Sequence, residues 1–258
     1  MRLFDTHAHY DDEAFDADRD EVLSTFDGLV IDPGCTLASS QAAIDLAARH
    51  PNVYAAVGIH PENCGDFLPE HINVLRRLAR QPKVVAIGEI GLDYYWAENP
   101  PREFQQQVFR AQLELALELD LPVIVHDREA HGDSLTIVRD YPALRGVFHC
   151  YSGSVEMAKE LLALGWYLGF DGPVTYKNAR KTVEVAEMVP PDRILIETDS
   201  PYMSPVPMRG KRNDSRNVCY IAEKLAQIKG MTTEEMARLT MENGKRLFNL
   251  SKKGKALF

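Results

Sequence analysis

The sequence has few cysteines, no long apolar run and no excess of basic residues. None of its four cysteines, Cys35, Cys64, Cys150 and Cys219, belongs to a C-x-x-C pair, so we expect reduced thiols in a cytoplasmic protein. No stretch approaches the roughly 18 consecutive apolar residues of a membrane span. The start, MRLFDTHAHYDDEAFDADRDE, is acidic and lacks the apolar core of a signal peptide. A membrane partner is therefore not expected.

The charge balance narrows the choice of partners. The formal net charge is −9, so the surface as a whole repels polyanions. Proteins that coat duplex DNA have the opposite balance, because Lys and Arg neutralise phosphates. The charge balance weighs against a DNA-coating protein, but not against an enzyme that holds one phosphate locally.

What the sequence does contain is a regular alternation of apolar strand-like runs and helical segments. Eight runs are continuously apolar, as parallel strands buried on both faces are; they are residues 3–9, 28–34, 53–60, 84–90, 122–127, 146–150, 166–171 and 193–199. Such an alternation over 258 residues predicts a single-domain TIM-type (β/α)₈ barrel that spans residues 1–258. An open doubly wound sheet is the alternative, and periodicity does not separate the two.

Helical spacing of apolar residues fills the intervals between these runs. The clearest segment is 101–120, where Phe104, Val108, Ala111 and Leu115 recur at steps of three and four. Near the end of the chain, Thr232 and Glu235 form a capping-box pattern. The other predicted helices are residues 36–49, 70–80, 132–140, 154–164, 178–188, 215–229 and 232–240.

Polar residues able to bind a metal stand at the carboxyl ends of the predicted strands, where barrels carry their functional sites. They are His7, His9, His60, Glu89, His126, His149 and Asp199. Each has an ordinary explanation alone, as a hydrogen-bonded histidine or a capping carboxylate. A metal site explains all of them together, and we therefore favour it.

The spacing of these residues suits two ions better than one. In a strand, His7 and His9 point to the same side, about 6–7 Å apart at Cα. Glu89 has two carboxylate oxygens and is able to bridge two ions, with Asp199 completing the first. His126 and His149 then hold the second ion. Four histidines and two carboxylates exceed the needs of one tetrahedral ion, whereas two-metal hydrolytic sites require such a set.

The segments FDTHAHY, GIHP, GEIGLDYY, HDRE, FHCYSG, ETDSPY and RGKRN, in this order, resemble the TatD family of metal-dependent hydrolases. The resemblance runs from residue 3 to the ENGKRLF segment at 242–248. It implies an amidohydrolase-like barrel with deoxyribonuclease activity that depends on divalent metal. The sequence departs from the family pattern in RGKRNDS, where RGKRNEP is common, and in ETDSPY, where ETDAPY is common.

The resemblance also implies roles for individual residues. His7, His9, Glu89 and Asp199 would bind one metal, and Glu89, His126 and His149 the other. His60 would lie beside the metals and contact substrate. The cofactor is thus two divalent ions per subunit, and Zn, Mn, Mg and Ni all remain open.

The function expected from these observations is hydrolysis of phosphodiester bonds in DNA by an exonuclease-like enzyme, with Asp199 accepting the proton from the attacking water. Arg128, Arg209, Lys211 and Arg212 are candidates to bind the substrate, although exposed basic residues are common without such a role. No obligatory protein partner is evident. Two alternatives are a hydrolase of the same architecture acting on a carboxylic ester, amide or lactone, and a non-catalytic metal-binding protein.

Overall fold

A computed structural model describes residues 1–250, so residues 251–258 of the predicted domain lie outside the described part of the chain. Eight parallel strands follow one another around a single sheet in chain order. Their bounds are β1 Leu3–Asp5, β2 Gly28–Pro33, β3 Val53–Val57, β4 Val84–Asp93, β5 Val123–Arg128, β6 Gly146–Phe148, β7 Tyr167–Phe170 and β8 Ile194–Ile196. Each strand overlaps one of the eight apolar runs identified in the sequence, although β1 ends earlier and β4 ends later than its run.

The sheet closes on itself where β8 returns to β1. The amide of Thr6 donates to the carbonyl of Ile196 at 3.1 Å, and Ala8 forms a parallel bridge with Ser200. The predicted (β/α)₈ barrel is therefore confirmed, and the open doubly wound sheet is excluded. Closure matters for function because it brings the carboxyl ends of all eight strands to one rim.

Helices surround the barrel in the described residues. They are α1 Arg19–Thr25, α2 Leu37–Arg49, α3 Pro69–Leu78, α4 Arg102–Leu119, α5 His131–Arg139, α6 Val155–Ala163, α7 Arg180–Met188, α8 Val218–Lys229 and α9 Thr233–Leu247. Helix α1 was not predicted from the sequence, and α9 extends seven residues beyond its predicted end at residue 240. None of the helices in residues 1–250 is both long and apolar enough to cross a membrane.

Local sequence explains where several helices begin. The Thr232 hydroxyl accepts from the amide of Glu235, and the Glu235 carboxylate accepts from the amide of Thr232, which confirms the capping box that precedes α9. Helix α2 begins after Thr36, whose hydroxyl accepts from the amide of Ser39 at 3.0 Å. These caps satisfy amides that would otherwise lack partners.

The barrel interior is apolar at one end. One buried cluster takes a side chain from each of the eight strands and adds residues from α9 and the turn after it: Phe4, Ile31, Ala56, Ala86, Ile124, Val147, Tyr167, Leu195, Met241, Leu247 and Phe248. A Cβ on Gly244 of α9 would lie 2.5 Å from the Phe4 ring, so only glycine allows α9 this close. Helix α9 thereby covers this end of the barrel.

Candidate metal centre

The polar residues predicted at the strand ends lie together at the opposite end of the barrel. Glu89, from within β4, is their centre and is only 2% exposed. Its Oε1 lies 2.7 Å from His149 Nε2, 3.0 Å from His126 Nδ1 and 3.5 Å from His60 Nε2. Its Oε2 lies 3.2 Å from His7 Nε2 and 3.6 Å from His9 Nε2. Each carboxylate oxygen thus faces its own group of imidazoles.

Asp199 completes the group around Oε2. Its Oδ1 lies 3.7 Å from Nε2 of both His7 and His9. The chain after β8 positions it, because the Asp199 amide donates to the carbonyl of His7 at 2.9 Å. The three donors of this group therefore come from the first and last strand ends, which only closure of the barrel makes neighbours.

His7 and His9 lie beyond the last residue of β1, Asp5, and not within a strand as the sequence predicted. Their rings still converge, with Nε2 atoms 3.1 Å apart. The His9 amide donates to the carbonyl of Ser200 at 2.7 Å, so pairing with the segment after β8 replaces the regular ladder. The two imidazoles therefore converge as they would in a strand, although neither histidine lies in one.

The side chains at the centre of the site are largely removed from water. His7 is fully buried, and His60 and His149 are each 7% exposed. The more open side chains are those of His9, Asp199 and His126, at 13%, 14% and 17%. A substrate or water therefore reaches the site past these three residues.

The donor atoms fit divalent cations. His7 Nε2 and His9 Nε2 face each other at 3.1 Å, and His126 Nδ1 and His149 Nε2 do so at 3.3 Å. Lone pairs on neutral imidazoles repel at such distances unless a proton or a cation lies between them. Imidazole and carboxylate together are ligands for Zn, Mn, Ni and related ions. The side chains that face Oε1 of Glu89 and those that face Oε2 are therefore both able to bind a metal ion.

The pKa values of Glu89 and His60 are both lowered in the site. Burial raises the pKa of Glu89, but the imidazoles of His149, His7 and His60 and the hydrogen bond with His126 outweigh burial and hold the pKa well below its usual value. Burial lowers the pKa of His60 to about 4. Glu89 is thus an anion, with a neutral His60 beside its Oε1.

The pKa values of His126 and Asp199 are raised instead of lowered. Burial lowers the pKa of His126, but its hydrogen bonds with Asp93 and Glu89 outweigh burial and raise it to about 10. Burial, with the charges of Asp171 and Glu89, raises the pKa of Asp199 well above its usual value. Without cations, the cluster therefore retains protons at positions where metal ions would displace them.

Asp93 has a role that the sequence analysis did not assign. Its Oδ2 lies 2.9 Å from His126 Nε2, so the other ring nitrogen, Nδ1, faces Glu89 and His149. This is the carboxylate–histidine arrangement that fixes the tautomer of metal ligands. A signal existed in the sequence: Glu89 and Asp93 are four residues apart in β4, and side chains at even spacing share one face of a strand.

A second unassigned carboxylate supports the other side of the site. Glu197 is fully buried and accepts from the Cys150 amide and, at 3.3 Å, from the Thr6 hydroxyl. Its Oε1 lies 3.7 Å from His149 Nδ1. Cys150 thus contributes its backbone amide to the support of Glu197.

The basic residues predicted to bind the substrate contact different neighbours. The guanidinium of Arg128 lies 3.9 Å from the ring centre of Tyr95 and 5.3 Å from that of Trp96, and both aromatic side chains are exposed. Arg209 stacks on Tyr176 at 4.0 Å.

The remaining two candidates, Lys211 and Arg212, are both exposed. Arg212 pairs with Asp18 at 2.6 Å and donates to the carbonyl of Ala14. It therefore anchors its own loop to the segment before α1. Whether any of the basic candidates contacts a substrate stays a prediction.

The loop that carries them is held by Asn213. Its side-chain amide donates to the carbonyls of Thr198 and Tyr202 at 2.8 and 2.7 Å. Asp214, in the segment RGKRNDS, accepts from the amide of Arg216 at 3.0 Å and thereby caps the turn at Ser215–Asn217.

A closed parallel barrel with buried histidines and carboxylates at its carboxyl rim is the architecture of a metal-dependent hydrolase. The family model described as TatD related DNase matches residues 4–249, and the chain belongs to this family. It is 43% identical to the uncharacterized metal-dependent hydrolase YabD of Bacillus subtilis, over 96% of this chain and 100% of that protein. It is 35% identical to the 3'-5' ssDNA/RNA exonuclease TatD of Erwinia tasmaniensis, with the same coverages.

Solved structures agree with the fold. The chain is similar to the crystal structure of YJJV, a TatD homolog from Escherichia coli, with a TM-score of 0.89 and 32% identity over 96% of this chain and 98% of the other. A phosphotriesterase homology protein from Escherichia coli, at 17% identity and a TM-score of 0.65 over 95% of this chain and 98% of the other, shares the fold alone. The class and the family are thus established.

Proposed function

We propose that the protein is a divalent-metal-dependent phosphodiesterase that acts on DNA as an exonuclease. The observation that carries this proposal is the position of Glu89, whose two oxygens face separate groups of imidazoles. Glu89 would offer one oxygen to each of two ions, and two-metal sites hydrolyse phosphodiesters. We assign His7, His9, Glu89 and Asp199 to one ion, and Glu89, His126 and His149 to the other.

The ions, when bound, supply a water of lowered pKa and neutralise charge on the phosphate. The chain supplies orientation and proton transfer. Asp199 is the residue proposed to accept the proton of the attacking water, because its carboxylate is among the more open groups of the site. His60, next to Oε1 of Glu89, is proposed to contact the substrate phosphate.

Substrate binding is proposed to combine this site with the exposed side chains of Tyr95 and Trp96. Aromatic faces stack on unpaired bases regardless of sequence, and the guanidinium of Arg128 beside them adds positive charge. A single strand with a free end places a base there and a phosphate at Glu89 without the broad basic surface that duplex binding needs. The exonuclease name of the Erwinia relative supports this choice of substrate.

The experiment that tests the proposal compares substrates under a series of metals. Metal-free protein is reconstituted with Zn, Mn, Mg or Ni and given single-stranded DNA with a free or a blocked 3' end, together with small esters, amides and lactones. We expect stepwise release of nucleotides from the free-ended strand only. Turnover of the small esters, amides or lactones without DNA cleavage would favour the rival hydrolase. Full metal occupancy without any turnover would favour a non-catalytic protein.

A pair of histidine variants provides the control. His126→Ala removes one of the imidazoles that face Oε1 of Glu89. His131→Ala removes a histidine outside the site, which pairs with Asp127 at 2.8 Å. We expect the first variant to be inactive and the second to remain active. Loss of activity in both variants would mean that the assay reports stability rather than the site.

A further inference from the structure

A second group of potential ligands lies beside the metal centre. His9, Asp11 and Asp32 each offer one donor atom, and these three atoms lie within 4.8 Å of one another. Asp32 is in β2, in the apolar run LVIDPG, where a carboxylate is unexpected. Asp11 lies in the segment that follows β1, two residues after His9. Neither carboxylate belongs to the site around Glu89.

Asp32 is the unusual member of this group. Its side chain is fully buried, yet neither Oδ1 nor Oδ2 has a hydrogen-bond partner. Buried polar groups are almost always satisfied, and a carboxylate without a donor is costly to bury. The position therefore requires a positive partner or a proton.

The nearest guanidinium does not fill this role. Arg19 donates through Nε to the carbonyl of Tyr10 and through Nη2 to the carbonyl of Asp12, at 2.9 Å. Its Nη2 also donates to Asp16 at 2.8 Å. Arg19 thus fixes the backbone around Asp11, and none of these hydrogen bonds reaches the Asp32 oxygens.

We propose that Asp11 and Asp32 hold a third divalent cation, of the Mg²⁺ or Mn²⁺ type, next to the catalytic pair. Two carboxylates suit these hard ions, which keep several waters in their coordination shell. Asp11 is partly exposed, so the site has an opening through which ion and water enter.

His9 connects this position with the catalytic centre. Its Nε2 faces Glu89 and Asp199, and a neutral imidazole has a single lone pair to donate. His9 therefore remains a ligand of the catalytic pair, and the third ion rests on the two carboxylates. This ion adds positive charge beside the catalytic site of an acidic protein.

The test is a count of bound metal and does not depend on turnover. Metal-free protein is dialysed against Mn²⁺, and bound Mn²⁺ is measured by mass spectrometry. We expect about three equivalents for the wild type, because the catalytic pair accounts for about two. The variant Asp32→Asn keeps the shape of the side chain but removes its charge, and it should bind one equivalent fewer.

Two controls make the count specific. Asp20→Asn removes an exposed carboxylate that bonds His50 and should leave the count unchanged. His149→Ala should lose an ion of the catalytic pair and retain the one that depends on Asp32. This separates the proposal from the proposed function, since the absence of nuclease activity would not alter the count.

Equal Mn²⁺ counts in the wild type and in Asp32→Asn would overturn the proposal and mean that the two carboxyls share a proton. Asp11→Asn provides a second variant if Asp32→Asn does not fold, because Asp11 is at the surface end of the site. Retention of the third equivalent in Asp11→Asn would equally contradict the assignment.

Discussion

The two ends of the barrel interior differ completely in chemistry although the same strands build both. At one end, Phe4 and buried residues from the other seven strands meet α9 in an apolar cluster. At the other end, His7 lies three residues further along the chain and faces Glu89. Within about 10 Å of extended chain, the chain that begins in β1 thus passes from a packed core to the candidate metal site.

This difference shows how stability and reactivity are separated in one molecule. The apolar end gains free energy from burial, and its packing leaves no room for a side chain at Gly244. The polar end buries Glu89 among imidazoles, which is costly without cations or protons to balance the charges. Residues of the first end should therefore control folding, and residues of the second should control metal binding and activity.

The largest expected effect is on activity, at the polar end. Glu89→Ala removes the carboxylate that both imidazole groups face, so activity should fall by more than the roughly 10²–10³-fold that loss of a single stabilising donor costs. The fold should persist, because the variant relieves a buried charge. Hydrolysis rates and circular dichroism measure the two quantities, and near wild-type activity would contradict the assignment.

The next effect concerns stability, at the apolar end. Phe248 is 1% exposed and its ring lies 6.1 Å from that of Phe4. Phe248→Ala should lower the free energy of unfolding by about 3–5 kcal/mol. Metal bound per folded molecule should stay unchanged, as measured by denaturant unfolding and metal analysis. The surface variant Leu117→Ala is the control, with an expected change within about 0.5 kcal/mol.

A smaller effect is expected where a supporting residue is altered. Asp93→Asn keeps the size of the side chain but weakens the bond to His126 Nε2. Metal affinity or activity should fall by about 10–100-fold. Asp127→Asn, which alters the carboxylate that holds His131 and Ser134, should not change metal affinity. A comparable loss in both variants would show that Asp93 acts through general stability.

The smallest effect is expected at the rim. Trp96→Ala should raise KM for a single-stranded oligonucleotide by about 10-fold, since stacking contributes about 1–3 kcal/mol per base. KM for bis(p-nitrophenyl) phosphate should stay the same, because this substrate does not extend to Trp96. An equal change for both substrates would place Trp96 in the site itself.

The sequence predicted most of the fold because its signals were local. The eight strands read as apolar runs, and the capping box marked the start of α9. The sequence analysis did not predict α1, because its segment, RDEVLST, begins with three charged residues and buries only Val22 and Leu23. The end of α9 was placed too early because NGK, at residues 243–245, resembles a turn, whereas Gly244 serves the contact with Phe4.

The sequence analysis named the histidines and carboxylates that the structure brings together, but it did not name the carboxylates that contact them. His7, His9, Glu89 and Asp199 stood out because metal-binding side chains at strand ends are rare. Asp93 and Asp32 were overlooked because each looks like an ordinary polar residue in an apolar run. Their surroundings depend on distances to residues of other chain segments, which no local pattern contains.

The sequence by itself determined the strands, the helices and the set of residues with metal-binding chemistry, because composition and periodicity encode local preference. The tertiary structure decided which oxygen of Glu89 faces which imidazole, that Arg212 anchors its own loop, and that Asp32 is buried without a donor. These facts depend on closure of the barrel, which joins residues that are up to about 190 positions apart in the chain, as Thr6 and Ile196 are.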